Sequence, residues 1–144
     1  MTEIKFAQLT DHFYWLAPGP PDRPTLGAVV GARGTLLLDA GASAAHARLF
    51  LDQLKSANVP LPQYVALTHW HWDHVFGAEA LGVPVIAHAL TAQQLVPLAT
   101  YLWDDAALDA RVASGAESSF SAENIKLELP TPRSVRIVPP TFTF

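Results

Sequence analysis

Hydrophobic residues in the first forty positions fall in short blocks that predict strands rather than helices. A first strand is expected from about Ile4 to Leu9, and a second, rich in aromatic residues, over Asp11–Leu16. Leu26–Val30 and Thr35–Asp39 flank a turn that contains glycines, which predicts a hairpin. Residues 17–24 are rich in proline, which cannot donate to a strand ladder, so we expect a loop there.

A helical period replaces the strand pattern after residue 42. Ser43 is expected to cap a helix that Asn58-Val59-Pro60 ends. The apolar run Gln63–Leu67 then predicts a buried strand. A strand, a helix and a strand in this order imply a parallel crossover, and therefore an α/β fold. The apolar side chains that recur every three or four residues along the helix, and would face the sheet, are Ala47, Phe50, Leu51, Leu54 and Ala57.

Shorter elements are predicted for the second half of the chain. The last ten residues are expected to form a strand, a proline break and the start of another strand. The acidic residues between positions 104 and 109 are interpreted as a solvated helix face. The other predicted elements are a short helix over Val75–Ala80, a strand over Val83–His88, a helix capped by Thr91 that ends near Ala99, and helices over Tyr101–Ser114 and Ser121–Glu128.

Composition narrows the class of protein. The chain has 144 residues, half of them hydrophobic and 15% charged, which predicts a single globular domain over residues 1–144. A net charge of −4 without a basic stripe argues against nucleic-acid binding. There is no cysteine, which excludes disulfides and thiolate ligands. Because the first six residues lack the apolar segment of a secretory signal and no apolar run approaches membrane-spanning length, we expect a cytoplasmic protein that does not enter membranes.

Three of the six histidines lie between positions 69 and 74. His69 and His71 would share one side of an extended chain, Asp73 can reach that side, and His74 follows as the chain turns into a helix. Imidazole nitrogen suits zinc, and a carboxylate adds charge compensation and tolerates manganese or iron. The cluster therefore predicts a divalent metal site. The two interleaved side chains expected to point the other way and shield it from water are Trp70 and Trp72.

The sequence His69-x-His71-x-Asp73-His74 after a hydrophobic strand resembles the signature of the metallo-β-lactamase superfamily of metal-dependent hydrolases. The resemblance implies that His69 and His71 bind one metal and that Asp73 and His74 bind a second. It implies two Zn²⁺ per complete site, with iron or manganese as alternatives, and a metal-activated water as the nucleophile. Asp73 is also expected to accept a proton during the reaction.

Asp39-Ala40-Gly41 resembles a second motif of that family. We expect the Asp39 carboxylate to accept the free N–H of a metal-bound imidazole rather than to bind metal; the alternative is a residue that merely precedes a helix. His88 is interpreted as structural, and His46 as a surface or boundary residue. By resemblance, the loop at residues 17–24 either lines the substrate side or is a plain connector.

The resemblance covers only the N-terminal αβ half of a four-layer αββα sandwich. Family members take further histidines and an aspartate from later segments, whereas this chain has no histidine after His88 and no aspartate after Asp109. We therefore expect a truncated domain that is incomplete at its C-terminus. The uncovered inner face of its sheet would favour a homodimer or a complementing C-terminal half.

Three functions follow from this reading. The first is a metal-dependent hydrolase of a small molecule, in which metal-activated water attacks an ester, thioester, lactone, lactam or phosphoester. The second is a non-catalytic fragment that binds metal weakly or needs a complementing chain. The third is an iron-dependent dioxygenase on the same fold, because iron tolerates these ligands.

Overall fold

A seven-stranded mixed sheet organises the protein, which a computed structural model describes over residues 4–144. The strands lie in the sheet in chain order. The first four pair antiparallel and the last four parallel, with β4 belonging to both groups. The strands are β1 (Phe6–Thr10), β2 (Phe13–Leu16), β3 (Leu26–Gly31), β4 (Gly34–Leu38), β5 (Pro62–Ala66), β6 (Val85–Ala87) and β7 (Phe142–Thr143).

Six helices lie between the strands from β4 onward in the described part of the chain. The longest, α1, connects β4 to β5 as the predicted crossover, and the Ser43 side chain caps it by accepting from the His46 N–H at 3.0 Å. The helices are α1 (Ala44–Ser56), α2 (Trp72–Val75), α3 (Ala78–Leu81), α4 (Ala89–Leu98), α5 (Asp105–Ala113) and α6 (Ser119–Glu128). The predicted α/β class is confirmed.

The strands alternate between two apolar faces. One face, which we call the covered face, carries Ala28, Leu37 and Val65 in register across β3, β4 and β5, and all three are fully buried. The other, the open face, carries Val29, Leu36 and Tyr64 in register on the same strands. Val29 and Tyr64 remain 39% and 40% exposed. The hydrophobic core therefore forms on one side of the sheet.

Several predicted helix ends were wrong. Thr91 does not cap α4; it is buried inside that helix, and the His88 side chain caps it by accepting from the Leu90 N–H at 3.1 Å. This position agrees with a structural role for His88. The next helix does not begin at Tyr101, because Asp104 caps it and α5 starts at Asp105. The last helix starts two residues earlier than predicted.

Two further predictions need correction. The short helix predicted over Val75–Ala80 is two separate turns, α2 and α3, because the chain bends at Phe76 and Gly77. The predicted strand near residue 135 does not form, since residues 129–140 find no strand to pair with among those described. The prediction that the chain has no secretory signal rests partly on residues 1–3, which lie outside the described residues. Within residues 4–144 no helix combines the length and apolarity that a membrane crossing requires.

Candidate metal centre

The ends of two neighbouring parallel strands bring the predicted site residues together. Leu38 and Ala66 pair at the ends of β4 and β5. Asp39 follows β4 directly, and the histidine cluster follows β5 after Leu67 and Thr68. The carboxyl ends of parallel strands form a common edge, which is the usual place for sites in α/β folds.

Asp39 joins the two strand ends through its side chain. Its φ of 62° lies in the left-handed region, which aspartate tolerates better than most residues. Only 5% exposed, its carboxylate accepts from the Thr68 backbone N–H at 2.7 Å and from the Thr68 hydroxyl at 2.8 Å. The His74 Nδ1 lies 2.8 Å from the same carboxylate. The predicted contact between Asp39 and an imidazole of the cluster is therefore present.

These contacts fix the orientation of two imidazoles. An ionised carboxylate only accepts hydrogen bonds, so the Thr68 hydroxyl must donate to Asp39. The His69 Nδ1, 2.9 Å from that hydroxyl oxygen, must then donate to it. His74 likewise uses its Nδ1 to donate to Asp39. The Nε2 atoms of both rings are left for other partners, as is usual for metal-binding histidines.

The four predicted ligands lie close together. The ring centroid of His69 is 4.7 Å from that of His71 and 4.1 Å from that of His74. The His74 Nε2 is 3.3 Å from an Asp73 carboxylate oxygen. Two ligands roughly 2.1 Å from a tetrahedral zinc would stand about 3.4 Å apart, so this pair fits one edge of a zinc site.

A complete ligand set is not assembled. Within residues 4–144, no group of three or more His, Cys, Asp or Glu side chains is arranged to hold a metal ion. The donor types and the His74–Asp73 pair thus fit a divalent metal only as part of a site. The metal-binding roles of His69, His71, Asp73 and His74, and the supporting role of Asp39, stay predictions.

The charged groups of the cluster shift one another's pKa values. Burial would lower the pKa of His74, but its hydrogen bonds to Asp39 and Asp73 outweigh burial and raise that pKa to about 9. Burial would likewise raise the pKa of Asp73, yet the hydrogen bond and charge of His74 lower it. The pKa of His69 is lowered, first by burial and then by the charges of His74 and His71. The anionic carboxylates offset the cost of placing several imidazoles side by side.

Gly77 holds the cluster against the end of β4. Its N–H donates to the Gly41 carbonyl oxygen at 2.9 Å, and the His74 carbonyl oxygen accepts from the Ala40 N–H at 2.9 Å. A Cβ at position 77 would lie 2.0 Å from the Ala40 carbonyl oxygen. Only glycine allows this close approach, which sets the distance between His74 and the Asp39 strand end.

The two tryptophans of the cluster behave differently. Trp72 begins α2 and is buried, whereas Trp70 is 37% exposed and packs edge-on against His71 with ring centroids 4.9 Å apart. The predicted shield of two tryptophans is therefore half right. Both tryptophans line a cavity of about 480 Å³ that also reaches His71 and Asp73.

The prediction that His46 is a surface or boundary residue was wrong. It is fully buried on α1, where its Nδ1 accepts from the Ala42 N–H at 3.2 Å. Its Nε2 has no hydrogen-bond partner among the described residues. Burial, helped by the charges of Arg23 and His74, lowers the pKa of His46 to about 4. His46 is therefore a neutral packing residue.

Sequence reasoning missed an ion pair that links distant segments. The guanidinium of Arg23, in the loop before β3, lies 2.9 Å from the carboxylate of Glu128 at the end of α6. The Ser43 hydroxyl donates to the same carboxylate, so one buried acid joins the loop, α6 and the start of α1. Asp22 precedes Arg23 and reaches the cavity. A separation of 105 residues between Arg23 and Glu128 leaves no local signal of this contact.

Comparison with known proteins agrees with the fold. A profile of the metallo-beta-lactamase superfamily matches residues 20–140. Similar solved structures include a mutant metallo-beta-lactamase from Cronobacter sakazakii (21% identity, TM-score 0.56, covering 66% of this chain and 38% of that protein). Another is a metallo-beta-lactamase from Pontibacter korlensis (22% identity, TM-score 0.58, covering 66% of this chain and 48% of that protein). A third is the mono-zinc form of a metallo-beta-lactamase from Pseudomonas aeruginosa (17% identity, TM-score 0.54, covering 65% of this chain and 45% of that protein).

No curated protein matches the sequence significantly. The matched region spans less than half of the length of each of these solved structures. The identities are low, so the structures show the fold alone, while the profile covers most of the chain. The chain belongs to the metallo-beta-lactamase superfamily.

Proposed function

We propose that this chain provides the metal-binding edge of a metal-dependent hydrolase. Superfamily membership supports hydrolase-like function at the family level. The observation that carries the proposal is the meeting of three imidazoles and one carboxylate at the ends of β4 and β5. Asp39, which is buried, and Thr68 hold the Nδ1 atoms of His74 and His69, so metal binding would use the two Nε2 atoms, that of His74 on the side where it now contacts Asp73.

Each residue has a separate proposed role. His69 and His71 would hold one metal ion, and Asp73 and His74 a second. A bound Zn²⁺ would supply a water of lowered pKa and would polarise an ester, thioester, lactone, lactam or phosphoester of a small molecule. Asp39 would hold the ring of His74 through its Nδ1, and Asp73 would also accept a proton. Zinc is the proposed metal, and the mono-zinc form of the Pseudomonas aeruginosa relative supports that choice.

Ligand number sets what the chain can do alone. A catalytic zinc usually has three protein ligands and a water, whereas the four residues here give two ligands to each metal. We therefore propose that the remaining ligands come from a complementing polypeptide or a second copy of the chain. Without them, metal binding should be weak, because zinc affinity depends on a full set of deprotonated ligands.

Zinc content measured by elemental analysis tests the proposal. The 144-residue chain, dialysed against excess free zinc so that weakly bound ions stay in place, should retain zinc above the level of the dialysis buffer, and about two equivalents would mean that both proposed ions are held. His71→Ala should remove at least half of the retained zinc and leave the helical circular dichroism signal intact. His12→Ala is the control, because His12 is exposed in the turn between β1 and β2 and lies outside the cluster.

Two results would favour the alternatives. Zinc retention near zero in the unmodified chain would favour a non-catalytic fragment. Selective retention of iron, together with oxidation of a sulfur compound, would favour a dioxygenase. Equal zinc content in the unmodified chain and in His71→Ala would contradict the ligand assignment.

A further inference from the structure

The cavity beside the histidine cluster is built mainly by the second half of the chain. It has a volume of about 480 Å³ and extends from His71 and Asp73 to α4, the start of α6 and the segment before α5. Because two of the four predicted ligands, His71 and Asp73, contribute to its wall, a molecule in this cavity would have one end at the proposed metal centre. The rest of the lining therefore decides which molecules fit.

Aromatic side chains form much of that lining. Trp70, Tyr101, Trp103 and Phe120 all face the cavity. Trp103 is buried and packs edge-on against Phe76 with ring centroids 4.7 Å apart, which fixes its position. Phe120 is 61% exposed, so a molecule in the cavity can cover its ring. Such a wall suits a flat apolar group, because aromatic rings contribute to binding beyond the area they bury.

The charged groups of the lining are acidic. Besides Asp73, the cavity is lined by Asp22 and Glu117, neither of which is assigned to metal binding. No lysine or arginine among residues 4–144 lines it. The guanidinium of Arg111 lies 4.7 Å from the Tyr101 ring centroid and 4.8 Å from that of Trp103, so it contacts the rings without forming part of the lining.

A negative charge on a ligand in this cavity would lie beside the carboxylates of Asp22 and Glu117, with no lysine or arginine of residues 4–144 in the lining to offset them. A carboxylate or phosphate on a ligand would therefore be repelled. A neutral group would avoid this repulsion, and a cation would be attracted to Asp22 and Glu117.

We propose that this cavity binds the aromatic portion of an uncharged or cationic substrate and rejects an anionic one. The inference rests on the proposed function, because it treats the cavity as the substrate side of the metal centre. It narrows the substrate class to aromatic esters, thioesters, lactones or lactams whose aromatic portion carries no carboxylate or phosphate.

Three phenyl compounds of matched shape test the proposal: 2-phenylethylammonium, 2-phenylacetamide and phenylacetate. Each is titrated into the ¹⁵N-labelled chain in the presence of EDTA, and the indole N–H signals are followed by NMR. Signals of Trp70, Trp72 and Trp103, which line the cavity, should shift, while that of Trp15 on β2 should not. We expect affinity to fall in the order given, with phenylacetate at least about threefold weaker than the amide.

Substitutions separate the aromatic part of the proposal from the charge part. Phe120→Ala should weaken all three compounds by roughly three- to tenfold, whereas Leu127→Ala, an exposed apolar residue on the same helix outside the cavity, should not. Glu117→Gln should reduce only the preference for the cation. Glu123→Gln, which changes an exposed acid on α6 outside the cavity lining, is its control.

Two outcomes would overturn the proposal: saturable binding of none of the compounds, or phenylacetate binding as tightly as the amide. The EDTA keeps this result independent of zinc. If the chain retains no zinc but binds the phenyl compounds in the expected order, the cavity is an aromatic pocket without a metal centre. If it retains zinc but does not bind the compounds in that order, the metal centre acts on different substrates.

Discussion

The covered and open faces of the sheet are built from the same strands but differ in what surrounds them. Leu37 on the covered face is fully buried and packs in the core with Phe50 of α1. Leu36, its neighbour in β4, points the other way and is only partly buried, and Tyr64 beside it is 40% exposed. Apolar alternation alone therefore does not tell which face forms the core.

The difference shows what the helices that join the parallel strands contribute. Burial of apolar surface stabilises by about 25 cal/mol per Å², and only side chains that face α1 and its neighbours gain it fully. The open face keeps apolar groups in contact with water, which is unusual for a monomer. Stability should therefore depend almost entirely on one face, while the other tolerates change.

Leu37→Ala and Leu36→Ala form the most direct test of this contrast. The first removes a fully buried side chain and should lower the free energy of unfolding by about 2–5 kcal/mol, because a cavity remains in the core. The second should cost about 1 kcal/mol or less. Urea unfolding followed by circular dichroism measures both. Equal losses would mean that something covers the open face in solution.

His46, buried on α1, should make the free energy of unfolding depend on pH. Its pKa of about 4 lies below the ordinary value of 6.5, so the unfolded chain binds more protons between those pH values. The contribution of neutral His46 to the free energy of unfolding is therefore fully present above pH 6.5. It is lost as the pH drops toward 4, by about 2–3 kcal/mol in total.

The measurement is the free energy of unfolding at pH 7 and pH 4.5, with EDTA present, for the unmodified chain and for His46→Gln. Glutamine keeps an acceptor for the Ala42 N–H but has no proton to gain. The unmodified chain should lose more stability on acidification than the variant. An identical loss in both would show that His46 is not held neutral.

Tyr64→Ser should have the smallest effect. Tyr64 lies on the open face, and its ring contacts Phe142 edge-on with centroids 6.2 Å apart. The substitution should change the free energy of unfolding by less than about 1 kcal/mol, because the residue is already 40% exposed. A thermal unfolding curve of the variant against the unmodified chain checks it. A larger loss would place Tyr64 in a core.

The sequence predicted the parts of the fold that local patterns specify. Ser43 is the N-cap as expected, and the strands on either side of α1 carry the Asp39 and histidine motifs to one edge. Other helix caps were misassigned because Ser, Thr, Asp and His candidates stand within one turn of each other, as with His88 and Thr91. Sequence alone does not say which of them turns its side chain toward the free N–H groups.

Contacts between distant segments were beyond local patterns. The burial of His46 depends on the approach of Gly41, and Gly77 matters only because the Ala40 carbonyl oxygen stands against it. The apolar residues near position 135 read as a strand, yet a strand needs a neighbour, and β7 pairs through only two residues. In each case a partner remote in sequence decides the outcome.

The shared hydrogen bonding of Glu128 has a consequence for molecules that enter or leave the cavity. The loop that carries Asp22 is tied through Arg23 to the far end of the helix that carries Phe120. Two sides of the opening are therefore tied to the same carboxylate. Widening the opening by moving these two sides apart would require the Arg23–Glu128 pair to break, so we expect the size of the aromatic group to influence its rate of entry.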